Sequence, residues 1–214
     1  SQLADMALAE TIPKIKAGMK ESEIRDLLEA EMKHLGIKSP SFESIVGSGP
    51  NSAMPHYTAG DRVVNTGDSI VIDFGGIHQG YCSDMTRTVV LGKASEEYKE
   101  VYDTVKEAQK RAIEAVRPGV KATEVDYAAR SYIADKGYGD YFIHRTGHGI
   151  GMEVHEEPYI SDISSTVLQS GMAFSIEPGI YIPGKFGVRI EDLVMVTETG
   201  VEVLNKFTKE LIEI

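Results

Sequence analysis

The stretches Asp73-Phe-Gly-Gly-Ile-His-Gln-Gly-Tyr-Cys-Ser-Asp84 and Glu177-Pro-Gly-Ile-Tyr-Ile-Pro-Gly-Lys-Phe-Gly-Val-Arg-Ile-Glu191 share one design. Each sets an acid at the end of an apolar run, turns through glycines, and sets a second acid on the return. Ser69 to Ile72 leads into the first and Thr86 to Leu91 leads out. Met172 to Ile176 and Asp192 to Thr197 do the same for the second. These β-branched runs predict two strand hairpins. Acids facing one another from two hairpins would repel, and desolvating four carboxylates without a cation is costly. The pattern therefore predicts a metal site.

Working outward, the same sentence recurs along the chain. Lys16-Ala-Gly-Met-Lys-Glu-Ser-Glu-Ile matches Arg117-Pro-Gly-Val-Lys-Ala-Thr-Glu-Val, pairing Gly18 with Gly119, Lys20 with Lys121, and later Gly36 with Gly137. Farther on, Gly67 pairs with Gly171, Asp73 with Glu177 and Asp84 with Glu191. A slowly growing offset is what loop insertions leave in a duplicated unit. Each half, roughly 1–95 and 96–214, reads as helix, turn, helix, loop and carboxylate hairpin, an α+β pattern. Two such halves are expected to pack about a pseudo-twofold axis with the hairpins meeting at its centre.

Local signals fill in the rest. Apolar positions predict helices over 2–16, over a stretch opening at Ser22 as N-cap and closing at Gly36, and over 96–116. Residues 42–56 and 142–154 read as glycine- and proline-marked loops. Gly47-Ser48-Gly49 lacks the Gly-Lys-Ser/Thr of a phosphate loop, and neither His-Glu-x-x-His nor Gly-x-Ser-x-Gly occurs.

Bulk properties narrow the class. The 214 residues are 42% hydrophobic and 26% charged, enough for a full core. A formal charge of -11 leaves no basic face for nucleic acid. No apolar run is long enough to span a membrane, and the start lacks the features of a signal peptide. The chain opens inside an apparent helix, so an upstream segment is expected. The one cysteine, Cys82, excludes an internal disulfide, which fits a cytoplasmic setting and reads as a small strand residue.

Hard oxygen donors with one imidazole favour first-row divalent cations. His34 reads as a surface residue and His78 as a solvated hairpin tip. His56, His144, His148 and His155 lie among glycines and prolines, where functional groups concentrate. Spacing alone leaves their roles open, with His148 leading because it sits between glycines.

Taken together, Asp73, Asp84, Gly147-His148-Gly149, Glu177-Pro178-Gly179 and Arg189-Ile190-Glu191 resemble the pita-bread metallopeptidases, the family of methionine aminopeptidase, aminopeptidase P and prolidase. The resemblance covers essentially the whole chain, and it implies the pita-bread fold in a single catalytic domain, 1–214. It also implies two divalent ions, with Mn²⁺ leading and Co, Fe and Zn as alternatives. In that reading Asp73 chelates one ion, Asp84 and Glu191 bridge, and His148 and Glu177 complete the second. Glu177 doubles as general base toward a bridging water.

Finer features resemble the proline-specific branch: Pro55-His56-Tyr57, His155-Glu156-x-Pro158, Glu177-Pro-Gly-Ile-Tyr181 and Gly187-Val-Arg189-Ile-Glu-Asp192. They imply that His56 and His155 hold substrate or the tetrahedral intermediate, and that His144 and Arg189 line the same site. Arg189 contacts substrate, orients a ligand, or pairs with Asp192 or another hairpin acid. The implied partner is a short peptide with proline second, and a homo-oligomer is compatible. The N-terminal domain that aminopeptidase P and prolidase usually carry has no counterpart here. Methionine aminopeptidase is the first alternative, and a non-catalytic peptide-binding domain on the same fold is the second.

Overall fold

A computed structural model describes residues 1–214. The first half runs α1 (Gln2–Thr11), α2 (Glu21–His34), β1 (Ser39–Pro40), β2 (Ile45–Ser48), β3 (Ser69–Phe74), β4 (Gly76–His78), β5 (Tyr81–Cys82) and β6 (Met85–Val90). The second runs α3 (Glu96–Ala115), α4 (Ala122–Asp135), β7 (Gly147–Gly149), β8 (Glu156–Ile160), β9 (Ala173–Ile176), β10 (Gly179–Ile182), β11 (Phe186–Arg189), β12 (Asp192–Val196), β13 (Val201–Val203) and β14 (Ile212–Glu213). No helix is long and apolar enough to cross a membrane.

Both carboxylate hairpins form, each with an outer pair and an inner arm. In the first, β3 pairs with β6 from Ser69↔Val90 to Phe74↔Met85, and β4–β5 is the arm. In the second, β9 pairs with β12 from Ala173↔Met195 to Ile176↔Asp192, and β10–β11 is the arm. Each outer pair sits in a larger sheet, ordered β14-β6-β3-β2 in the first half and β13-β12-β9-β7-β8 in the second.

The duplication extends to backbone detail. Gly18 and Gly119 hold φ near 92° and 89°, Gly36 and Gly137 near 92° and 85°, Gly67 and Gly171 near 94° and 90°. These left-handed values explain glycine at both members of each pair. The isolated bridge Lys20↔Val63 recurs as Lys121↔Val167. Lys20 N–H donates to Glu23 at 2.7 Å, and Lys121 N–H to Glu124 at 3.1 Å.

Two cores follow the two halves. One gathers Leu8, Ile24, Leu28, Ile70, Ile72 and Phe74 with their neighbours; the other gathers Val101, Val105, Val125, Ile133, Phe174, Ile180 and Val194 with theirs. The C-terminal segment crosses back: β14 pairs in parallel with β6 at Ile212↔Val89, and Lys206 N–H donates to Asp5 at 2.6 Å.

Three local expectations change. Ser22 is not the cap; α2 starts two residues earlier, with Lys20 as N-cap, because Glu21 is drawn into the interior. Within 42–56, Ile45–Ser48 is a strand paired with β3, since the buried β3 edge needs a hydrogen-bonding partner. Within 142–154, Gly147–Gly149 is a strand between β8 and β9. A Cβ at Gly147 would lie 1.8 Å from the Ser175 carbonyl oxygen, and one at Gly149 would lie 2.4 Å from that of Glu157. Those glycines therefore serve close strand packing.

Candidate metal centre and active site

The hairpins cross where Thr86–Thr88 meets Arg189–Glu191. Glu191 N–H donates to Thr86 O at 3.1 Å, and the Thr88 hydroxyl donates to Arg189 O at 2.8 Å. A cavity of about 480 Å³ opens at this crossing, lined by Asp73, Asp84, His148, Glu177 and Glu191, and also by His56, His144, His155 and Arg189. All nine residues read from the sequence therefore share one cavity. Asp73 is the penultimate residue of β3, Asp84 precedes β6, Glu177 follows β9 and Glu191 precedes β12. The strand-end placement predicted for all four acids is what the fold delivers. His34 and His78 are exposed and remote from this lining.

Only one half supplies an imidazole at the centre. Ser48↔Ile70 in the first sheet corresponds to Gly149↔Phe174 in the second, so His148 stands where the first half has Gly47. His148 Nε2 lies 3.6 Å from Asp84 Oδ2 and 3.3 Å from Glu177 Oε1. Its Nδ1 is 3.1 Å from Gly149 O, a pure acceptor. Nδ1 thus carries the proton, and Nε2 turns its lone pair to the acids.

The surrounding bonds orient the acids. The Thr86 hydroxyl donates to Glu191 Oε2 at 2.7 Å, and the Ser175 hydroxyl donates to Glu177 Oε1 at 3.1 Å. Arg189 Nη2 donates to Asp73 Oδ2 at 2.5 Å, its Nη1 to Tyr181 Oη at 2.9 Å and Pro55 O at 3.2 Å, and its Nε to Thr86 at 3.0 Å. Arg189 is thus paired with a hairpin acid. That acid is Asp73; Asp192 is taken instead by Arg87 at 2.6 Å and Lys209 at 2.8 Å. His144 has both nitrogens engaged, Nδ1 with Arg145 O at 2.7 Å and Nε2 with Tyr181 Oη at 2.8 Å.

Electrostatics repeat the message. Burial, then the neighbouring acids Glu191 and Asp73, push Asp84 well above the carboxylate range, and burial with Glu177 and Asp73 does the same to Glu191. Burial pushes Glu177 up to about 7 against the opposing pull of Arg189. Burial lowers His148 to about 4 and, with Arg189, lowers His144 to about 3. Asp73 Oδ1, Asp84 Oδ1 and Glu191 Oε1 are buried with no hydrogen-bond partner. Buried carboxylate oxygens without partners are costly unless a cation meets them. One oxygen or nitrogen from each of Asp84, His148 and Glu191 falls within 4.8 Å of the others. This donor set fits a divalent cation.

The model of metallopeptidase family M24 matches residues 1–198. The chain belongs to metallopeptidase family M24. Over 211 residues it is 48% identical to the Xaa-Pro dipeptidase of Pyrococcus furiosus, covering 99% of this chain and 61% of that protein. Among solved structures, an Xaa-Pro dipeptidase from Bacillus anthracis superposes with a TM-score of 0.98 at 48% identity, covering 99% of this chain and 60% of that one. An X-Pro aminopeptidase from Thermotoga maritima MSB8 does so at 0.97 and 46%, with the same coverage. The M24 chain thus has the pita-bread fold and spans about 60% of the length of these relatives.

Several residues that shape the M24 centre escaped the sequence reading. Thr86 and Ser175 bond the acids from strand interiors, where hydroxyl residues carry no special signal. Arg145 lines the cavity beside His144, and its guanidinium sits 4.6 Å from the Tyr159 ring centre. Adjacency to the Gly147–Gly149 motif was its only available cue.

Proposed function

We propose that this chain is a dinuclear metal-dependent exopeptidase that hydrolyses the bond between an N-terminal residue and a following proline. The observation that carries the reading is the set of three partnerless carboxylate oxygens beside His148 and Glu177 in one cavity. Its relatives' names, Xaa-Pro dipeptidase and X-Pro aminopeptidase, supply the substrate class.

In this reading Asp73, Asp84, His148, Glu177 and Glu191 hold two divalent ions, with Mn²⁺ first and Co, Fe or Zn as alternatives. When bound, such ions would lower the pKa of a bound water and polarise a carbonyl. The chain's own groups do the rest. Glu177 accepts the Ser175 hydroxyl on Oε1, which leaves Oε2 to take a proton from the attacking water and return it to the leaving proline nitrogen. His56 and His155 hold the scissile carbonyl and the tetrahedral intermediate by N–H donation. The His155 ring packs edge-on against His148, with centroids 4.2 Å apart, which fixes its approach. Arg189, with its fork on Asp73, Tyr181 and Thr86, aligns an acid at the centre.

An Xaa-Pro bond is a tertiary amide with no N–H and a restricted preceding residue. A site that needs only a carbonyl and a free amino end suits that bond. The lone, unpaired Cys82 is compatible with a cytoplasmic setting. The test is metal-supplemented hydrolysis of Xaa-Pro dipeptides and Xaa-Pro-Yaa tripeptides beside Met-Ala-Ser. Cleavage of proline substrates supports the proposal, and cleavage of Met-Ala-Ser alone overturns it.

A further inference from the structure

Glu21 is fully buried at the first turn of α2, yet every hydrogen bond to its carboxylate comes from one segment, 48–57. Ser48 donates to Oε1 from both its N–H and its hydroxyl at 2.7 Å. Asn51 Nδ2 lies 3.1 Å and 3.3 Å from the two oxygens. The Tyr57 hydroxyl donates to Oε2 at 2.8 Å. On the far side, Arg189 Nη1 bonds Pro55 O at 3.2 Å, and Gly187 N–H bonds the Ser52 hydroxyl at 2.8 Å. The segment is therefore pinned at Pro55 and at Tyr57, one residue either side of His56.

The duplication separates scaffold from site. At the position matching Glu21 the second half has Ala122, and the same left-handed glycine, the same lysine bridge and the same helix start form there. The repeat therefore folds without a carboxylate at this point. Only the half whose loop delivers His56 has one. The other half steadies its own loop histidine, His155, by packing it on His148.

We infer that Glu21 is a positioning residue that acts through His56, holding the 48–57 segment so that the imidazole faces the cavity. Although it rests on the proposed peptidase reading, the inference has a test that survives that reading's failure.

The test is a double-mutant cycle with His56→Ala, accompanied by metal titration and amide hydrogen exchange. Glu21→Gln keeps the shape but sets an N–H₂ among donors. It should lower kcat on Xaa-Pro substrates by about tenfold or more, with little change in KM. Metal affinity should stay within about twofold of the parent. Tyr57→Phe, which removes the hydroxyl's bonds to Glu21 and from Asn51 and leaves the ring in place, should cost about fivefold and serves if Glu21→Gln does not fold. In the His56→Ala background both substitutions should become nearly silent, since coupled residues are not additive. Exchange across 50–57 should accelerate while that of 147–149 stays unchanged. A full penalty that persists without His56 overturns the inference, as does a loss of metal. If the parent chain turns over no proline peptide, the peptidase reading falls, and unchanged exchange at 50–57 in Glu21→Gln would then refute the positioning role separately.

Discussion

Arg189 Nη2 grips Asp73 Oδ2 at 2.5 Å while the other oxygen of Asp73 stays buried without a partner. The arginine thereby points a half-satisfied carboxylate into the cavity, the arrangement expected of an outer group that orients a metal ligand. Arg189→Lys keeps the charge but cannot reach Asp73, Tyr181 and Thr86 together, because lysine has no planar fork. Turnover should fall by about 10–100-fold, with weaker metal binding. Metal titration beside steady-state kinetics checks this; unchanged values for both would remove Arg189 from the centre.

Glu191 holds Thr86 with one oxygen and leaves the other bare. Glu191→Gln can still accept from Thr86 but offers no second anionic oxygen. Its turnover should drop by more than about a hundredfold, beyond the usual loss for an outer group. In the parent chain, metal at about 100 times its Kd should stabilise by about 2.7 kcal/mol. That gain should shrink in the variant and vanish with a chelator. Thermal unfolding with and without Mn²⁺ measures it.

The metal-free chain should become less stable above neutrality. A carboxyl raised in the folded state binds its proton more tightly there, so stability falls as pH rises from the unfolded to the folded pKa. Glu177 at about 7, with Asp84 and Glu191 raised well above the normal range, all act in this sense. His144 and His148, lowered to about 3 and about 4, act oppositely, but only up to their unfolded value of 6.5. From pH 6.5 to about pH 8 the three raised carboxyls are opposed only by the Ser1 amino group, which burial holds below its ordinary value of 8.0. Urea unfolding should show a declining midpoint across that range without metal. Metal should offset the decline, because deprotonated ligands bind it best. A rising midpoint in the metal-free chain would contradict the charge cluster.

Two glycines should behave differently. Gly147→Ala drives a Cβ to 1.8 Å from the Ser175 carbonyl oxygen, so strands must separate. A loss at or above the upper end of about 1–3 kcal/mol is expected. Gly119→Ala meets nothing within 4 Å and suffers only from φ +89°, a cost of about 1–2 kcal/mol. Denaturant midpoints of the two variants rank them; the reverse order would deny the close approach of β7 to β9.

Much of this architecture was legible in the sequence because its signals are local. Paired glycines at Gly18 and Gly119, or Gly67 and Gly171, announce left-handed turns wherever they occur. Acids at the ends of alternating runs announce strand-end carboxylates, and Asp73, Asp84, Glu177 and Glu191 lie there. Tertiary requirements were not legible. Gly47 and Ser48 look like loop residues, and only the β3 edge makes them a strand. Ser22 resembles a cap, but the interior captures Glu21 and shifts the helix start. The Asp73 pairing of Arg189 was open in advance, because Asp192 is closer in sequence and only the crossing of the hairpins hands Asp192 to Arg87.

The most direct test of the central claim is metal stoichiometry with turnover in one preparation. The chain would be loaded with Mn²⁺, its bound metal counted, and the same sample given an Xaa-Pro dipeptide, an Xaa-Pro-Yaa tripeptide and Met-Ala-Ser. The account predicts two metals per chain and metal-dependent release of the residue before proline, with Met-Ala-Ser untouched. Two bound metals with no cleavage of any proline peptide, or cleavage of Met-Ala-Ser alone, would contradict it.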